Sequence, residues 1–537
     1  MKAGVCVTMQ IGLGSISLPS KVLEAAIPLI REFFVQAKVQ ILKETNTDVT
    51  VAGDVGTDPG GYAGGLDALI SVNFNGFKTF EPVSGNGFDK PAITARWLGI
   101  NPAGGYNNYF SSLQVESILS QPAVGREAPE TLMVKLAVVK LLSEVTGREL
   151  PWGVLTGIRP SKLIHYWADR GVEGERRLEA LGRRYGVRRD KARLLEQIVA
   201  VQEPYLRDMK GHPHHVAVYI SIPFCPSRCS YCTFPGQIPR PDRTDVLEYL
   251  AVLKNEMAAV GEMMRRFELQ ADSLYLGGGT PTILGIEQLE ELLSGLLSMI
   301  PQTASAELTV EAGRPDTLGT EKLALLHACG VSRLSINPQT MQQTTLERVG
   351  RMHTVAEVER VYQQAAALSG WIINMDLIIG LPGEGIKQVA ESIARISALH
   401  PGNLTVHALA LKRGSREWEQ GYRHIDGPVL EQMQALVGEA ARSRGLRPYY
   451  MYRQKQMAGN AENIGYALPG QECRYNIAIM EERQSVIGIG AGSSTKVVNP
   501  KDYSLRNLQH QTDWRTYALR WTHNHAERVA EFAQLTT

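Results

Sequence analysis

The 537-residue sequence has no run of about 18 apolar residues, so hydropathy gives no reason to expect a membrane span. Cysteine is scarce. Of six in all, Cys6, Cys329 and Cys473 stand singly, which excludes a disulfide framework and points to a reducing, cytoplasmic setting. Neither sign of charge predominates: 56 Lys and Arg against 55 Asp and Glu leave a formal net charge of +1. That balance does not favour nucleic acid or an anionic membrane as the main partner. The opening MKAGVCVTMQIGLG lacks the charged, apolar and cleavage regions of an export signal, so none is expected. The glycine-rich tract 53–76 lacks the order G-x-x-x-x-G-K-[ST] of a phosphate-cradling loop and reads as turns and loops. What remains is a globular composition, 44% apolar and 21% charged, long enough for two or three domains.

The other three cysteines lie together, in Tyr219-Ile-Ser-Ile-Pro-Phe-Cys-Pro-Ser-Arg-Cys-Ser-Tyr-Cys-Thr-Phe234. Cys225, Cys229 and Cys232 are spaced C-x3-C-x2-C. Thiolates are soft ligands suited to iron–sulfur clusters, and a four-iron cluster normally takes four of them. A loop supplying three leaves one iron open to another ligand, as a catalytic zinc keeps an open position. Zinc is the competing reading, but zinc loops usually pair C-x2-C with a second C/H pair, and none is visible here. With Tyr231 inside the last pair, the stretch resembles the signature of the radical S-adenosylmethionine (SAM) enzymes. In those proteins the open iron chelates the amino and carboxyl groups of the methionine moiety.

Periodicity sets the frame around that loop. Val216, Val218, Ile220 and Ile222 alternate with polar or small residues, which is strand spacing. A helix is expected over 245–267, then strands at 273–276, 308–311, 333–336, 372–379 and 404–410. Helices at 287–299, 320–329, 356–368 and 387–399 separate them. Six βα units are fewer than the eight of a closed barrel, so a partial (β/α)6 barrel is the expected core. Ahead of it, amphipathic helices are expected over 19–40 and 130–147, and the segment from Pro151 is helical and basic. The whole reads as an α/β protein. An N-terminal α/β domain (1–150) and a basic helical connector (151–212) precede the barrel (213–445), and a small C-terminal α+β region (446–537) covers the substrate.

Functional groups of parallel βα folds gather at the carboxyl ends of the strands. There lie the cysteine loop, Gly277-Gly-Gly-Thr-Pro-Thr282, Glu311, Asn337-Pro-Gln339, and Asp376 with Gly380-Leu-Pro-Gly383. Joined together, YISIPFCPSRCSYC, LYLGGGTPT, ELTVEAGRPDT, RLSINPQTMQQTTLERVGR and NMDLIIGLPGE resemble the oxygen-independent coproporphyrinogen III oxidase/dehydrogenase family. PWGVLTGIRPSKL, Pro448-Tyr-Tyr-Met-Tyr-Arg-Gln-Lys455 and Gly488-Ile-Gly-Ala-Gly492 make the likeness strongest to its HemZ branch, over roughly residues 150 to 500.

The resemblance implies a [4Fe–4S] cluster on Cys225, Cys229 and Cys232. It implies one SAM on the open iron, met by Tyr219, Gly278 and Glu311 beside Gly277. A second SAM would be lined by Gly279, Thr280 and Ala410 and by the catalytic set Tyr231, Gln339, Arg351 and Asp376. Two positions depart from the family's best-known branch: Phe234 stands for a further cysteine and Ser221 for a histidine.

The implied reaction passes an electron into the SAM sulfonium, and the resulting 5′-deoxyadenosyl radical removes hydrogen from a propionate of coproporphyrinogen III. Loss of carbon dioxide and an electron leaves a vinyl group. A flavodoxin- or ferredoxin-like protein would supply the electron. Arg447, Tyr449, Tyr450, Tyr452, Arg453, Lys455, Arg159 and Lys162 are candidates to hold the substrate's carboxylates. The competing classes are a haem chaperone on the same scaffold and another radical reaction on a tetrapyrrole, such as methyl transfer or haem opening. The chaperones carry His-Asn-x-x-Tyr-Trp where this chain reads Cys473-Arg-Tyr-Asn-Ile-Ala478.

Overall fold

The computed structural model describes residues 6–11, 28–29, 38–43, 68–75, 92–100, 106–114, 129–155, 157, 159–232, 234, 236–410, 419, 422, 425–454 and 461–535. Its contacts divide into two compact units, Met1–Glu196 and Gln197–Thr537.

The first unit carries a five-stranded sheet in the order β2-β1-β3-β4-β5. The strands are β1 (Cys6–Ile11), β2 (Lys38–Lys43), β3 (Ala68–Asn75), β4 (Ala92–Ile100) and β5 (Tyr106–Gln114). Strand β1 pairs in parallel with β2 and β3, while β3, β4 and β5 run antiparallel. Helix α1 (Pro129–Thr146) lies against β4 and β5 and buries Leu132, Met133, Val134, Ala137, Leu141 and Leu142.

Two expectations for this unit need correction. Residues 38–40, placed at the end of a helix by apolar spacing, belong to β2, where Val39 and Ile41 alternate with polar neighbours. Residues 68–75, counted with the glycine-rich turns, form β3, whose ALISVNFN alternates in the same way. Most of the remaining residues of both stretches lie outside those described. Helices α2 (Ser161–Ala168), α3 (Gly174–Tyr185) and α4 (Arg189–Gly211) follow, with α4 crossing into the second unit. Their basic residues pair along the helices: Arg177 grips Glu196 at 2.8 and 2.6 Å, and Arg188 meets Asp190 at 2.7 Å.

The second unit is built on an eleven-stranded sheet in the order β12-β13-β11-β10-β9-β8-β7-β6-β14-β15-β16. Its centre is six parallel strands: β6 (His215–Ile222), β7 (Gln270–Gly278), β8 (Gln302–Glu311), β9 (Arg333–Ser335), β10 (Ile372–Ile379) and β11 (Asn403–Ala408). The interleaved helices are α5 (Thr244–Arg266), α6 (Ile286–Met299), α7 (Thr320–Ala328), α8 (Gln343–Arg348), α9 (Val355–Ala367) and α10 (Ile386–Leu399). The expected order of βα units is therefore present. Local signals explain several boundaries. Helix α9 starts at a capping box in which the Glu357 amide donates to Thr354 Oγ1 and the Thr354 amide donates to Glu357 Oε2.

Long-range pairing at the sheet's edges is absent from the periodicity. Beside β11 sits an antiparallel hairpin of β13 (Asn463–Ala467) and β12 (Arg447–Tyr452), and helix α11 (Gly427–Ser443) precedes it. On the other side β14 (Val486–Ile489) returns from far along the chain to pair in parallel with β6. Strands β15 (Ser494–Val498) and β16 (Leu505–Gln509) extend that edge. Helix α13 (Trp514–Leu535) packs on α5 through a buried polar knot. Glu256 Oε1 accepts from Arg528 at 2.9 Å, and its Oε2 accepts from Tyr517 at 2.6 Å and from the Gly490 amide at 2.9 Å.

Successive strand residues face opposite ways. Val216, Val218, Ile220 and Ile222, each at most 1% exposed, share one face of β6, and Ala217, Tyr219 and Ser221 share the other. On that second face Tyr219, Tyr275 and Tyr475 stack with centroids 4.5 to 5.9 Å apart. Tyr475 comes from α12 (Arg474–Glu481), and Tyr449, Tyr450, Cys473 and Ile477 complete this core.

Candidate active site

The loop after β6 folds back on itself before α5. The Cys225 amide donates to Gln237 O at 2.9 Å, and the Gln237 amide donates to Pro223 O at 2.7 Å. The far side of the loop is tied to the turn after α8: the Ser230 amide donates to Val349 O at 3.0 Å and Ser227 Oγ to Gly350 O at 3.1 Å. All three thiols are free, with Cys229 buried and Cys225 and Cys232 partly so. Burial, with the neighbouring cysteines adding, pushes the Cys225 thiol up to about 11. Burial also pushes Cys232 up.

The glycine run at the end of β7 lies directly against this loop. The Gly279 amide donates to Ile222 O at 2.7 Å and the Thr280 amide to Phe224 O at 2.8 Å. A Cβ at position 279 would sit 2.5 Å from Phe224 O and 2.8 Å from Cys225 Sγ. One at position 277 would meet Glu311 Oε2 at 2.8 Å and Tyr219 at 3.1 Å. Gly278 has φ +112°, open to glycine alone at low cost. The glycines thus clear space on both sides at once, toward the thiol and toward the carboxylate.

Register brings the next groups together: Glu311 pairs with Ser335, Ser335 with Asn374, and Asp376 with Thr405. Burial, reinforced by the charge of Asp376, raises the Glu311 carboxyl to about 8, although the Gly278 amide opposes the shift. Asn374 Nδ2 donates to Asp376 Oδ1 at 2.8 Å and to Ser335 Oγ at 2.7 Å. Gln339 is held at φ +66° by hydrogen bonds to β10: its amide donates to Asp376 O and its carbonyl accepts from the Ile378 amide. Its buried side-chain oxygen meets no donor among the described residues.

Arg351, which the resemblance places at the second SAM, is tied to the cysteine loop. It is 6% exposed and clamps the cysteine loop, with Nη1 donating to Tyr231 OH at 3.3 Å and Nη2 to the carbonyls of Gly313 and Asn337 at 2.5 and 2.7 Å. Tyr231 and Cys232 line a cavity of about 200 Å³ with Phe234, Ile378, His407, Ala410, Gln454 and Asn463.

Sequence reasoning assigned no role to Arg314, Asp316, His353 or His407. Arg314 Nη1 reaches Cys229 Sγ at 3.6 Å while the same guanidinium binds Ser227 and Asp316. His407 sits between Asp376, with Nε2 3.8 Å from Oδ2, and Tyr452, whose OH is 3.2 Å from Nδ1. Arg314 was legible as the arginine inside AGRPDT; nothing marked His407.

Comparison with known proteins bears on what these groups hold. Residues 219–396 match the model of the radical SAM superfamily. Over 405 residues the chain is 38% identical to the oxygen-independent coproporphyrinogen-III oxidase-like protein HemZ of Bacillus subtilis, covering 75% of this chain and 81% of that protein. The chain belongs to this HemZ-type family of radical SAM proteins. The haem chaperone HemW of Escherichia coli is 30% identical over 304 residues, which is 55% of this chain and 73% of the chaperone. Among solved structures, coproporphyrinogen III oxidase HemN of Escherichia coli matches 60% of this chain and 73% of its own. Its TM-score is 0.47 and its identity 20%.

Radical SAM proteins bind a [4Fe–4S] cluster and SAM. The donor set of this HemZ-type protein fits that cluster. Among the described residues no three His, Cys, Asp or Glu side chains converge on one point to chelate a single ion. The three thiols come from one short loop, with Cys229 buried and Cys225 and Cys232 partly so. Thr280 Oγ1 offers a hydrogen bond to Cys225 Sγ at 3.7 Å, as Arg314 does to Cys229, and such donors support thiolate ligands.

The candidate carboxylate-holding residues scatter. Tyr449 and Tyr450, 1% and 5% exposed, are core residues bonded to Asn476 and Thr405. Arg453 is buried, Arg447 is exposed, and Lys455 lies outside the described residues. Arg159 and Lys162 belong to the other compact unit. Ser221, one of the two departures, donates to Ala491 O at 2.7 Å and so anchors the Gly488–Gly492 stretch to β6. No helix among the described residues is long and apolar enough to cross a membrane.

Proposed function

We propose that this HemZ-type protein oxidatively decarboxylates coproporphyrinogen III without oxygen, turning two propionates into vinyls and yielding protoporphyrinogen IX. The observation that most supports this reading is the cavity beside Tyr231 and Cys232, with His407, Gln454 and Asn463 on its wall. At about 200 Å³ it is smaller than the roughly 300–1,000 Å³ of pockets that enclose a whole ligand, so it takes part of one, and Tyr231 and Ala410 on its wall make it the same space as the second SAM position.

Bound together, the cluster and SAM supply a carbon radical that takes a hydrogen atom from the substrate. The chain's own residues prepare the site. Cys225, Cys229 and Cys232 would hold the cluster, and Gly277, Gly278 and Gly279 would leave room for SAM to approach it. Glu311 and Tyr219 would stand beside the methionine moiety, and the Glu311 carboxylate could accept a hydrogen bond from its amino group. Tyr231, Gln339, Arg351, Asp376, Thr280 and Ala410 would border the second position, and Arg351 also holds Tyr231 through its hydrogen bond. Each propionate gives up one hydrogen atom, one carbon dioxide and one electron, so an electron acceptor completes the reaction. A flavodoxin- or ferredoxin-like donor in the cytoplasm supplies the low-potential electron that starts it.

Haem chaperoning is the alternative class, given the HemW relatives. Cys473 argues against it as a haem ligand: it is 2% exposed, and burial with the nearby Glu307 carboxylate pushes its thiol up to about 12. The deciding experiment is anaerobic reconstitution with iron and sulfide, then addition of SAM, a reductant and coproporphyrinogen III, with products followed by mass. Loss of two carboxyl groups with two 5′-deoxyadenosines per product supports the decarboxylase. 5′-Deoxyadenosine without change in the porphyrinogen removes the substrate assignment. Haem binding with neither product replaces it with the chaperone reading.

A further inference from the structure

Arg314 is a buried cation with more partners than a loop anchor requires. It is 3% exposed and directly precedes the short 3-10 turn Pro315–Thr317 that follows β8. Nε and Nη2 fork onto the two oxygens of Asp316 at 3.1 and 3.3 Å, and Nη2 also donates to Ser227 Oγ at 3.0 Å. Those bonds already fix the loop. The remaining Nη1 is directed at Cys229 Sγ at 3.6 Å, the distance of an N–H···S hydrogen bond.

Other charges accompany it: Arg228 directly precedes Cys229 in the chain. Asp316, its side chain 21% exposed, also has His353 Nδ1 3.5 Å from Oδ1. Arg351 approaches the loop through Tyr231. Arg314 is the buried guanidinium bonded to the middle cysteine, and Asp316 is the carboxylate bonded to Arg314. Three thiolates around a four-iron core carry net negative charge, and reduction adds one more. A buried cation that donates a hydrogen bond to a ligand sulfur stabilises the reduced form, and a carboxylate bonded to that cation weakens the effect.

We propose that Arg314 raises the reduction potential of the cluster through its hydrogen bond to Cys229, and that Asp316 moderates this by orienting and partly neutralising the guanidinium. Arg314 is thus a positioning and tuning residue. The role is independent of which substrate the protein takes.

The test uses the full chain reconstituted anaerobically, with iron and sulfide content measured and the cluster followed by electron paramagnetic resonance during a redox titration without substrate. R314Q is expected to keep its iron, with the reduced-to-oxidised ratio at the wild-type midpoint falling about tenfold, equivalent to about 59 mV for one electron. R314K, which keeps the charge but not the planar fork, should fall between R314Q and wild type. D316N should move the ratio the other way, a sign that general damage to the loop would not produce. Equal midpoints in R314Q and wild type, both fully loaded, overturn the proposal. Should R314Q lose its cluster, D316N decides: a raised midpoint supports the role, and an unchanged or lowered one overturns it.

Discussion

Replacing Glu311 with Gln should stabilise the protein without its cofactors, and the gain should grow as pH rises from about 5 to about 8. Glu311 sits beside Gly277 with its carboxyl raised to about 8, by burial first and by Asp376 second. A folded-state value above that of the unfolded chain means the native protein holds this proton more tightly. Its contribution is therefore best below the unfolded value and worsens with rising pH until the folded group itself ionises. Were the carboxyl fully shielded, the cost above pH 8 would approach about 5 kcal/mol. The residue is only partly buried, so solvent screening reduces this to about 2–3 kcal/mol. Gln keeps the shape and still accepts from the Gly278 amide, so packing changes cancel between pH values. Urea unfolding of both proteins at pH 5 and pH 8, following the transition of residues 197–537, reads the gap directly. A stability difference that stays constant across that range would refute the electrostatic account. In the cluster-loaded wild type, SAM affinity should rise with pH as the raised Glu311 carboxyl ionises. In E311Q it should be weaker and flat.

Cys229→Ala should abolish the cluster absorbance and lower bound iron; a full cluster in that variant would refute the ligand assignment. Gly279→Ala puts a methyl 2.5 Å from the Phe224 carbonyl oxygen, a backbone atom that cannot swing away. Cluster loading should drop sharply while circular dichroism is unchanged, and normal loading would show that the loop relaxes freely. Arg528→Met leaves Glu256 buried without its main cation, at a cost of about 3–5 kcal/mol in unfolding free energy. Burial alone would raise Glu256, but Arg528 and His510 outweigh it and hold the carboxyl at about 2. That stabilisation is present above the unfolded value and is lost as pH falls from about 4.5 toward 2. The acid-unfolding midpoint of R528M should therefore move to higher pH, and an unmoved midpoint would remove the pair from the account. Gln339→Ala and Asp376→Asn should spare the cluster and the SAM on it but slow turnover; unchanged turnover in both would eliminate the second SAM position.

The six βα units and the residues at their carboxyl ends were legible because the signals are local. Val216 through Ile222 alternate, Thr354 and Glu357 cap a helix three residues apart, and the cysteines sit within eight residues of each other. Misreadings arose where local signals conflict. KVQILK follows a helix-like stretch and glycines surround ALISVNFN, so neither strand could be distinguished without its partner β1. The sequence by itself determined which atoms are available: three soft thiolates, a glycine run, a carboxylate at the end of β8. Only the tertiary structure decided what each one faces. Arg351 meets Tyr231 across 120 positions of chain, and Arg314 meets Cys229 across 85. His407 meets Tyr452 across 45 positions, and Glu256 meets Arg528 across 272. Strand periodicity and capping act over a few residues, whereas hydrogen-bond partners and charge environments form wherever the sheet brings distant segments within a few ångströms. No local pattern encodes those meetings.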